Sequence, residues 1–207
     1  MKNILIHCAM EKEAKQVANK LNLIENKNKE YIGIQKAYLG ELENKKVSLI
    51  VTGIGKQKSA IGLTEYLAKE EKPDLIINIG FAGSTLSKIG TWVCINKSYN
   101  FDWKIEGEEK YSMKDLGNQD LIMVNSIPNL PCYSAESFVT NSDIEENVIF
   151  DMELHSVNII ADMYKIPLMS LKKVTDNLSL EDYYENIENI IELESCVKYI
   201  KEAIASN

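Results

Sequence analysis

Short apolar runs alternate along the chain with segments in which apolar residues recur every three or four positions. The runs that predict β-strands are Ile4–Cys8, Val47–Thr52, Leu75–Ile79, Trp92–Ile95 and Leu168–Val174. The periodic segments that predict helices are Glu11–Leu23, Lys56–Glu71, Asp151–Lys165 and a long segment at the C-terminal end. Because strands and helices alternate, the pattern is typical of an α/β fold.

Two of the periodic segments carry apolar stripes that predict helices lying on a sheet. The first stripe contains Ala60, Leu63, Leu67 and Ala68, and the second contains Ile187, Ile190, Ile191, Val197, Ile200 and Ile204. The early strands are almost continuously apolar, as expected of strands covered on both faces. Residues Lys97–Pro131 have the weakest pattern, and we expect loops and a short hairpin there. We find no repeat and no linker, so the prediction is one domain spanning residues 1–207.

Composition narrows the partners and the compartment. The chain has 31 acidic and 23 basic residues and a formal net charge of -8, which argues against nucleic acid as a partner. All 23 basic residues are Lys, so the bidentate fork of Arg is absent from the chain. The four cysteines, which stand far apart, are expected to be reduced thiols: Cys8, Cys94, Cys132 and Cys196. Without a signal peptide or an apolar run near ~20 residues, we expect a cytoplasmic protein that does not enter membranes.

Polar residues and glycines cluster just after several predicted strands. These clusters are Ala9–Glu13, Thr52–Lys56, Asn78–Gly83, Phe150–Glu153 and Val174–Asn177. In open α/β sheets ligands bind at the carboxyl ends of the strands, so the clusters are candidates for one site. Each also has a simpler explanation, as acidic residues at a helix start or as a tight turn. Neither glycine cluster matches a dinucleotide fingerprint or a phosphate-binding loop.

The order of these motifs resembles the nucleoside phosphorylase and nucleosidase superfamily, and within it the bacterial methylthioadenosine/S-adenosylhomocysteine nucleosidases. The motifs are Ala-Met-Glu-Lys-Glu at 9–13, Thr-Gly-Ile-Gly-Lys at 52–56, Asn-Ile-Gly-Phe-Ala-Gly at 78–83, Ser-Phe-Val at 137–139, Asp-Met-Glu at 151–153 and Thr-Asp at 175–176. The resemblance spans nearly the whole chain. It implies a three-layer α/β/α fold of the nucleoside phosphorylase type, in which helices flank a central mixed, twisted sheet.

The resemblance also implies a division of labour among three carboxylates in hydrolysis of a purine nucleoside. Asp176 matches the acid that protonates N7 of the base, Glu153 the carboxylate that holds the ribose hydroxyls, and Glu13 the acid that activates water. Bond breakage through an oxocarbenium-like state needs a facing carboxylate, an acid with a raised pKa and a base with a lower one. These residue types therefore suit the reaction.

Six further positions are implied in substrate binding: Phe81, Gly83, Phe138, Val139, Met152 and Lys172. Phe138 matches the residue that stacks on the base, Val139 the one whose backbone contacts the purine edge, and Met152 the residue that packs beneath the ribose. Gly83 belongs to the loop on the base side. Lys172 stands where an Arg commonly helps to place the attacking water.

Several positions depart from the family pattern. Phe81 replaces a small hydroxyl residue and Cys8 replaces a Gly, and both changes are expected to narrow the pocket. The chain is also expected to be shorter between Tyr99 and Ser137, and Phe101 stands where the family usually has His. Two alternatives to hydrolysis therefore stay open: a phosphate-dependent phosphorylase and a nucleoside-binding protein without turnover.

The remaining expectations concern the nucleophile, metals and assembly. Phosphorylases of this fold hold phosphate with arginines, and a chain without Arg favours water as the nucleophile. His7 and His155 have no ligand spacing, so we expect packed or surface histidines, no metal and no cofactor. The family resemblance implies a homodimer whose ligand is a small purine nucleoside.

Overall fold

The computed structural model describes residues 2–28, 30–113, 116–188 and 192–206. The strands are β1 (Asn3–Cys8), β2 (Ile24–Glu25), β3 (Lys36–Leu42), β4 (Lys45–Val51), β5 (Leu75–Ser84), β6 (Trp92–Asn100), β7 (Asn129–Ser134), β8 (Ile149–Asp151) and β9 (Leu168–Asp176). The helices are α1 (Glu11–Leu21), α2 (Lys56–Lys69), α3 (Leu154–Met163), α4 (Leu180–Glu188) and α5 (Cys196–Ser206). Strands and helices alternate through most of the chain, as predicted for an α/β fold.

The nine strands found in the described residues join one mixed sheet with the order β2-β3-β4-β1-β5-β8-β7-β6-β9. β1 lies parallel to β4 and β5, whereas β3 and β4 are antiparallel. β5 also pairs in parallel with β9, so the pairings β5-β8-β7-β6-β9 return to β5 and close that half of the sheet. The carboxyl ends of β1, β4, β5 and β9 therefore meet at one edge.

Two apolar cores cover the two faces of the sheet. On one face, α1 and α5 pack on β1 through Ile4, Ile6, Ala14, Val17 and Ile200. On the other, Leu63 of α2 and Val157 and Ala161 of α3 pack on Leu5 of β1 and Ile50 of β4. Since Leu5 lies between Ile4 and Ile6, the alternation of one strand feeds both cores. The predicted three layers are confirmed.

The structure corrects several predicted boundaries. The helix expected over Asp151–Lys165 begins only at Leu154, because Ile149–Asp151 pairs with β5 and β7 as β8. The loops and hairpin expected over Lys97–Pro131 are partly wrong: β6 continues to Asn100, and β7 runs parallel to it. Parallel neighbours require a long connection rather than a tight turn, which is why no hairpin forms between these strands.

Two further differences concern the edge strands and the C-terminal end. β2 and β3 were not predicted; they form an antiparallel edge on which several side chains are exposed, so their apolar pattern is weak. The C-terminal stripe is divided between α4 and α5, and its members Ile190 and Ile191 lie outside the described residues. None of the described helices is long and apolar enough to cross a membrane.

Candidate active site

A cavity of about 510 Å³ lies where the four parallel strands end. Its wall includes seven of the nine residues singled out in the sequence: Glu13, Phe81, Gly83, Phe138, Met152, Glu153 and Asp176. Val139 lines a smaller recess beside it, in which Gly83, Phe138 and Asp176 also take part. Lys172 lies on the wall of neither space. The fold therefore brings together residues that are up to 163 positions apart, as strand ends meeting at one edge require.

Glu13 is held at the start of α1 by backbone amides from two elements. Its Oε2 accepts a hydrogen bond of 2.9 Å from the Met10 N–H, and its Oε1 accepts one of 2.9 Å from the Phe81 N–H. The side chain is only 2% exposed. Burial raises the pKa of the Glu13 carboxyl above its usual value, while the two amide hydrogen bonds oppose that rise. The carboxyl is thus fixed in place and poised to exchange a proton.

Glu153 stands at the N-cap of α3 and bonds across the cavity to the loop after β4. Its Oε1 accepts a hydrogen bond of 2.8 Å from the Gly55 N–H. Gly55 has a φ of 107°, a conformation that favours glycine, and this conformation presents the amide to the carboxyl. Burial and the neighbouring Asp151 carboxylate raise the pKa of Glu153 to about 8. The residues around Glu153 therefore favour the neutral form of this acid near neutral pH.

Asp176 ends β9 beside Gly83, its register partner in β5. A Cβ on Gly83 would lie 2.7 Å from Asp176 Oδ1, so only glycine leaves room for the carboxyl. Oδ1 accepts a hydrogen bond of 3.0 Å from the Leu178 N–H. Burial raises the pKa of Asp176 above its usual value.

The hydroxyl of Thr175 can serve Asp176 in both of its protonation states. Thr175 Oγ1 lies 2.8 Å from Asp176 Oδ2 and 3.2 Å from the carbonyl oxygen of Ala82. When Asp176 is ionised, the hydroxyl can donate to Oδ2. When Asp176 is protonated there, the carboxylic acid can donate to Thr175 while the hydroxyl donates to Ala82. A group that is hydrogen-bonded in both states suits a proton donor.

One side of the cavity is covered by the apolar face of α4. Its lining residues recur at helical spacing: Leu180, Tyr183, Tyr184 and Ile187. The Tyr183 ring lies 5.4 Å from the Phe138 ring in an edge-on arrangement. Asn186 Nδ2 donates a 3.0 Å hydrogen bond to the Thr175 carbonyl, which ties α4 to the end of β9. This wall was not predicted from the sequence, although the i, i+3, i+4, i+7 spacing of its residues could have shown it.

Lys172 lies behind the cavity in an ion pair with Asp151 that was not predicted from the sequence. Its Nζ is 2.7 Å from Asp151 Oδ2, and both side chains are almost fully buried. Burial lowers the pKa of the ammonium, but the Asp151 carboxylate more than offsets this, so the pKa lies above its usual value. Conversely, Lys172 holds the pKa of Asp151 below its usual value despite burial. Contact of Lys172 with the attacking water therefore stays a prediction.

Both histidines are packed away from the cavity wall, as expected. His7 Nε2 lies 2.9 Å from Thr52 Oγ1, and burial lowers its pKa to about 3. His155 Nδ1 lies 3.3 Å from Ser98 Oγ, and burial lowers its pKa to about 4. Within the described residues, no group of three or more His, Cys, Asp or Glu side chains could hold a metal ion.

Comparison with known proteins decides the family. Residues 3–136, well over half of the chain, match the family described as the Phosphorylase superfamily. The chain belongs to the phosphorylase superfamily. The family resemblance noted in the sequence is thereby confirmed.

Individual phosphorylase-superfamily relatives carry nucleosidase names. The 5'-methylthioadenosine/S-adenosylhomocysteine nucleosidase of Desulfotalea psychrophila is 25% identical, over 88% of this chain and 89% of that protein. The Arabidopsis thaliana 5'-methylthioadenosine nucleosidase has a TM-score of 0.83 at 20% identity, over 97% of this chain and 94% of that chain. The futalosine hydrolase of Helicobacter pylori has a TM-score of 0.82 at 16% identity, over 100% and 98% of the two chains. At these identities the structural likeness shows the fold.

The buried Glu153 carboxyl has a measurable consequence for stability. Its pKa is about 8 in the folded protein, above the ordinary value of 4.5. The folded state therefore keeps a proton that the unfolded state releases, so stability falls as pH rises from about 4.5 through about 8. One such group contributes a slope of up to about 1.4 kcal/mol per pH unit. We expect Glu153→Gln to lose less free energy of unfolding than wild type between pH 5 and pH 8 in urea titrations.

The exposed Glu145 provides the matched control for that measurement. Glu145→Gln should reproduce the wild-type loss of stability between the two pH values. Parallel curves for wild type and Glu153→Gln would mean that Glu153 is ionised in the folded protein at neutral pH.

Proposed function

We propose that the protein is a nucleosidase that hydrolyses the N-glycosidic bond of a purine nucleoside. The observation that carries the proposal is the convergence of Glu13, Glu153 and Asp176 on one cavity. The nucleosidase names of the relatives support it. In this reaction Asp176 gives a proton to N7 of the base, the C1′–N9 bond breaks, and Glu13 accepts a proton as water attacks C1′.

Glu153 is the group proposed to bind the ribose. A carboxylate that accepts hydrogen bonds from ribose hydroxyls is stabilised in its charged form, so substrate binding would lower its pKa from that in the free pocket. The charge would then face the oxocarbenium-like sugar in a cavity from which the substrate has excluded water. Phe138, Val139 and Gly83 lie around Asp176, at the end proposed for the base. Met152 and Phe81 would pack against the substrate between the two ends.

Water suits this cavity better than phosphate as the nucleophile. The wall carries four acidic side chains, Glu13, Asp151, Glu153 and Asp176, and no Lys among the described residues. A phosphate dianion would find no cation on this wall, and the chain offers no Arg to hold it. Hydrolysis is therefore favoured over phosphorolysis.

The cavity wall includes the apolar side chains of Met10, Ile54 and Ile187. No Lys lines the wall among the described residues, and the ammonium of Lys12 donates a hydrogen bond to the backbone carbonyl of Ile187. A 5′ substituent that is small and uncharged fits such a surface better than one carrying a carboxylate. We therefore place methylthioadenosine before S-adenosylhomocysteine as the substrate.

A substrate panel tests the proposal. We expect the wild-type protein to release free base from methylthioadenosine without phosphate, and added phosphate should not change the rate. The value of kcat/KM should be about tenfold higher than for S-adenosylhomocysteine, a difference of about 1.4 kcal/mol. Adenosine, 5′-deoxyadenosine and inosine complete the panel. Release that requires phosphate would make the protein a phosphorylase.

The second candidate is a nucleoside-binding protein without turnover. The position of the Phe81 ring on the cavity wall favours it. The ring lines the cavity next to Glu13, where related enzymes are expected to have a small hydroxyl residue. The ring could occupy the space of the attacking water. Thermal stabilisation by nucleosides without base release from any member of the panel would support this candidate.

We also propose a homodimer, from the family resemblance alone. Sedimentation of the pure protein measures its mass directly.

A further inference from the structure

The first turn of α3 lacks the cap that its own N-cap residue would normally provide. N-cap side chains commonly accept hydrogen bonds from the first free amides of a helix. Glu153 occupies the N-cap position, yet its side chain makes no such bond. Its Oε1 instead accepts from the Gly55 N–H, and Oε2 takes no hydrogen bond from the part of the chain that the structure describes. The carboxyl is thus turned away from the helix and towards the cavity.

Asp151 and Ser134 bind the amides that Glu153 leaves free. Asp151 Oδ2 accepts a hydrogen bond of 2.9 Å from the Leu154 N–H. Ser134 Oγ accepts one of 2.9 Å from the His155 N–H and donates its own proton to Asp151 Oδ1 at 2.5 Å. Two residues from β7 and β8 therefore cap α3 in place of the N-cap side chain.

Lys172 offsets the free-energy cost of burying the Asp151 carboxylate of this cap. An uncompensated buried carboxylate is strongly unfavourable, whereas one that is paired and hydrogen-bonded is not. Asp151 receives the Lys172 ammonium on Oδ2 in addition to the two hydrogen bonds just described. The cap is therefore a complete set of partners from β7, β8 and β9.

We propose that Asp151, Ser134 and Lys172 are positioning residues for Glu153: they cap α3 from outside the helix and so leave the Glu153 carboxyl free to bind the ligand. The assignment of the ligand as a ribose rests on the proposed function. The positioning itself is a property of the protein without ligand and can be tested separately.

Several charged or titratable groups act on Glu153 besides Asp151. They are Lys172 on β9, Glu13 on α1, Cys132 on β7, Tyr183 on α4 and Asp176 on the shared cavity wall. Asp151 is the nearest carboxylate along the chain, and its charge opposes ionisation of Glu153. Asp151→Asn removes that charge and leaves the Lys172 cation, so the pKa of Glu153 should fall.

Ser134→Ala tests the proposal with the smaller change. It leaves the His155 N–H without its acceptor, and a Glu153 side chain that turns back to the helix can take that hydrogen bond. The carboxyl is then misplaced for the substrate, and kcat/KM should fall by on the order of 10- to 100-fold. In turning back, the carboxyl would exchange the Gly55 amide for the His155 amide in the first turn of α3, where the helix dipole also favours a negative charge, so the pKa of Glu153 should also fall.

Ser98→Ala is the matched control. Ser98 is buried and bonds to α3 through the side chains of His155 and Asn158, but it does not touch the helix cap. We expect Ser98→Ala to lower Tm by about as much as Ser134→Ala does. The value of kcat/KM and the titration midpoint of Glu153 should stay at their wild-type values. The titration is followed by the infrared band of the protonated carboxyl, assigned by its loss in Glu153→Gln.

The readouts separate the two proposals. A lower titration midpoint for Glu153 in Ser134→Ala, with no change in Ser98→Ala, supports positioning even if the wild type releases no base. If Ser134→Ala keeps the wild-type midpoint and its kcat/KM matches that of Ser98→Ala, positioning by the external cap is overturned. Asp151→Asn then adds the effect of charge, and Ser134→Ala decides the question if Asp151→Asn does not fold.

Discussion

Replacing Asp176 by Asn is expected to lower kcat for methylthioadenosine by about 10²- to 10⁴-fold, with KM changed only a few-fold. General acid catalysis contributes about that much, and an amide cannot donate a proton to N7 on the reaction timescale. The substitution keeps the shape of the side chain. The amide oxygen can still accept from Leu178 N–H, and the amide nitrogen can donate to Thr175 Oγ1. Steady-state assays of base release measure both constants.

A change of leaving group separates proton donation from general damage to the site. A riboside whose leaving group needs no proton, such as 4-nitrophenyl riboside, should be hydrolysed by Asp176→Asn at close to the wild-type rate. Asp182→Asn is the control, since Asp182 is the nearby acid on α4 that does not line the cavity. If Asp176→Asn kept the wild-type kcat for methylthioadenosine, the proton donor would have to be another residue.

The positions of the candidate acids could be predicted because they depend on strand ends. Glu13 follows β1, Asp176 ends β9 and Gly83 lies near the end of β5. Apolar runs locate strands, and parallel topology brings their carboxyl ends together. The family resemblance then supplied expected roles, and the superfamily membership it implied is confirmed.

What escaped prediction depends on partners far away in the chain. Asp151 was predicted to begin a helix, but the pairing of Ile149–Asp151 with β5 and β7 makes it the end of a strand. The pairing of Lys172 with Asp151 is likewise invisible to periodicity, because a charged residue inside an apolar strand shows no partner in the sequence. Tertiary pairing therefore decided both features.

Glu13 and Asp176 are held by separate sets of hydrogen-bond donors. Glu13 is held by two amides and Asp176 by an amide and a hydroxyl, so each has its own fixed partners. Burial raises both pKa values, and hydrogen bonds to the charged form oppose that rise in each case. What distinguishes Asp176 is the Thr175 hydroxyl, which can act as a partner to both of its protonation states.

Replacing Glu13 by Gln is expected to lower kcat by about 10²- to 10⁴-fold, because an amide cannot take the proton of the attacking water. The wild-type rate should fall as pH drops below the raised pKa of Glu13, and the variant should lose that acidic limb. Glu11→Gln is the matched control: Glu11 lies two residues away in α1 and pairs with Lys15 and Lys36 outside the cavity.

Glu13→Gln should impair hydrolysis of 4-nitrophenyl riboside as strongly as that of methylthioadenosine, since both need an activated water. We expect Glu13→Gln to lose activity equally on both substrates and Asp176→Asn to lose activity only on the purine nucleoside. That result would identify Glu13 as the base and Asp176 as the acid. Normal turnover by Glu13→Gln would show that Glu13 takes no part in the reaction.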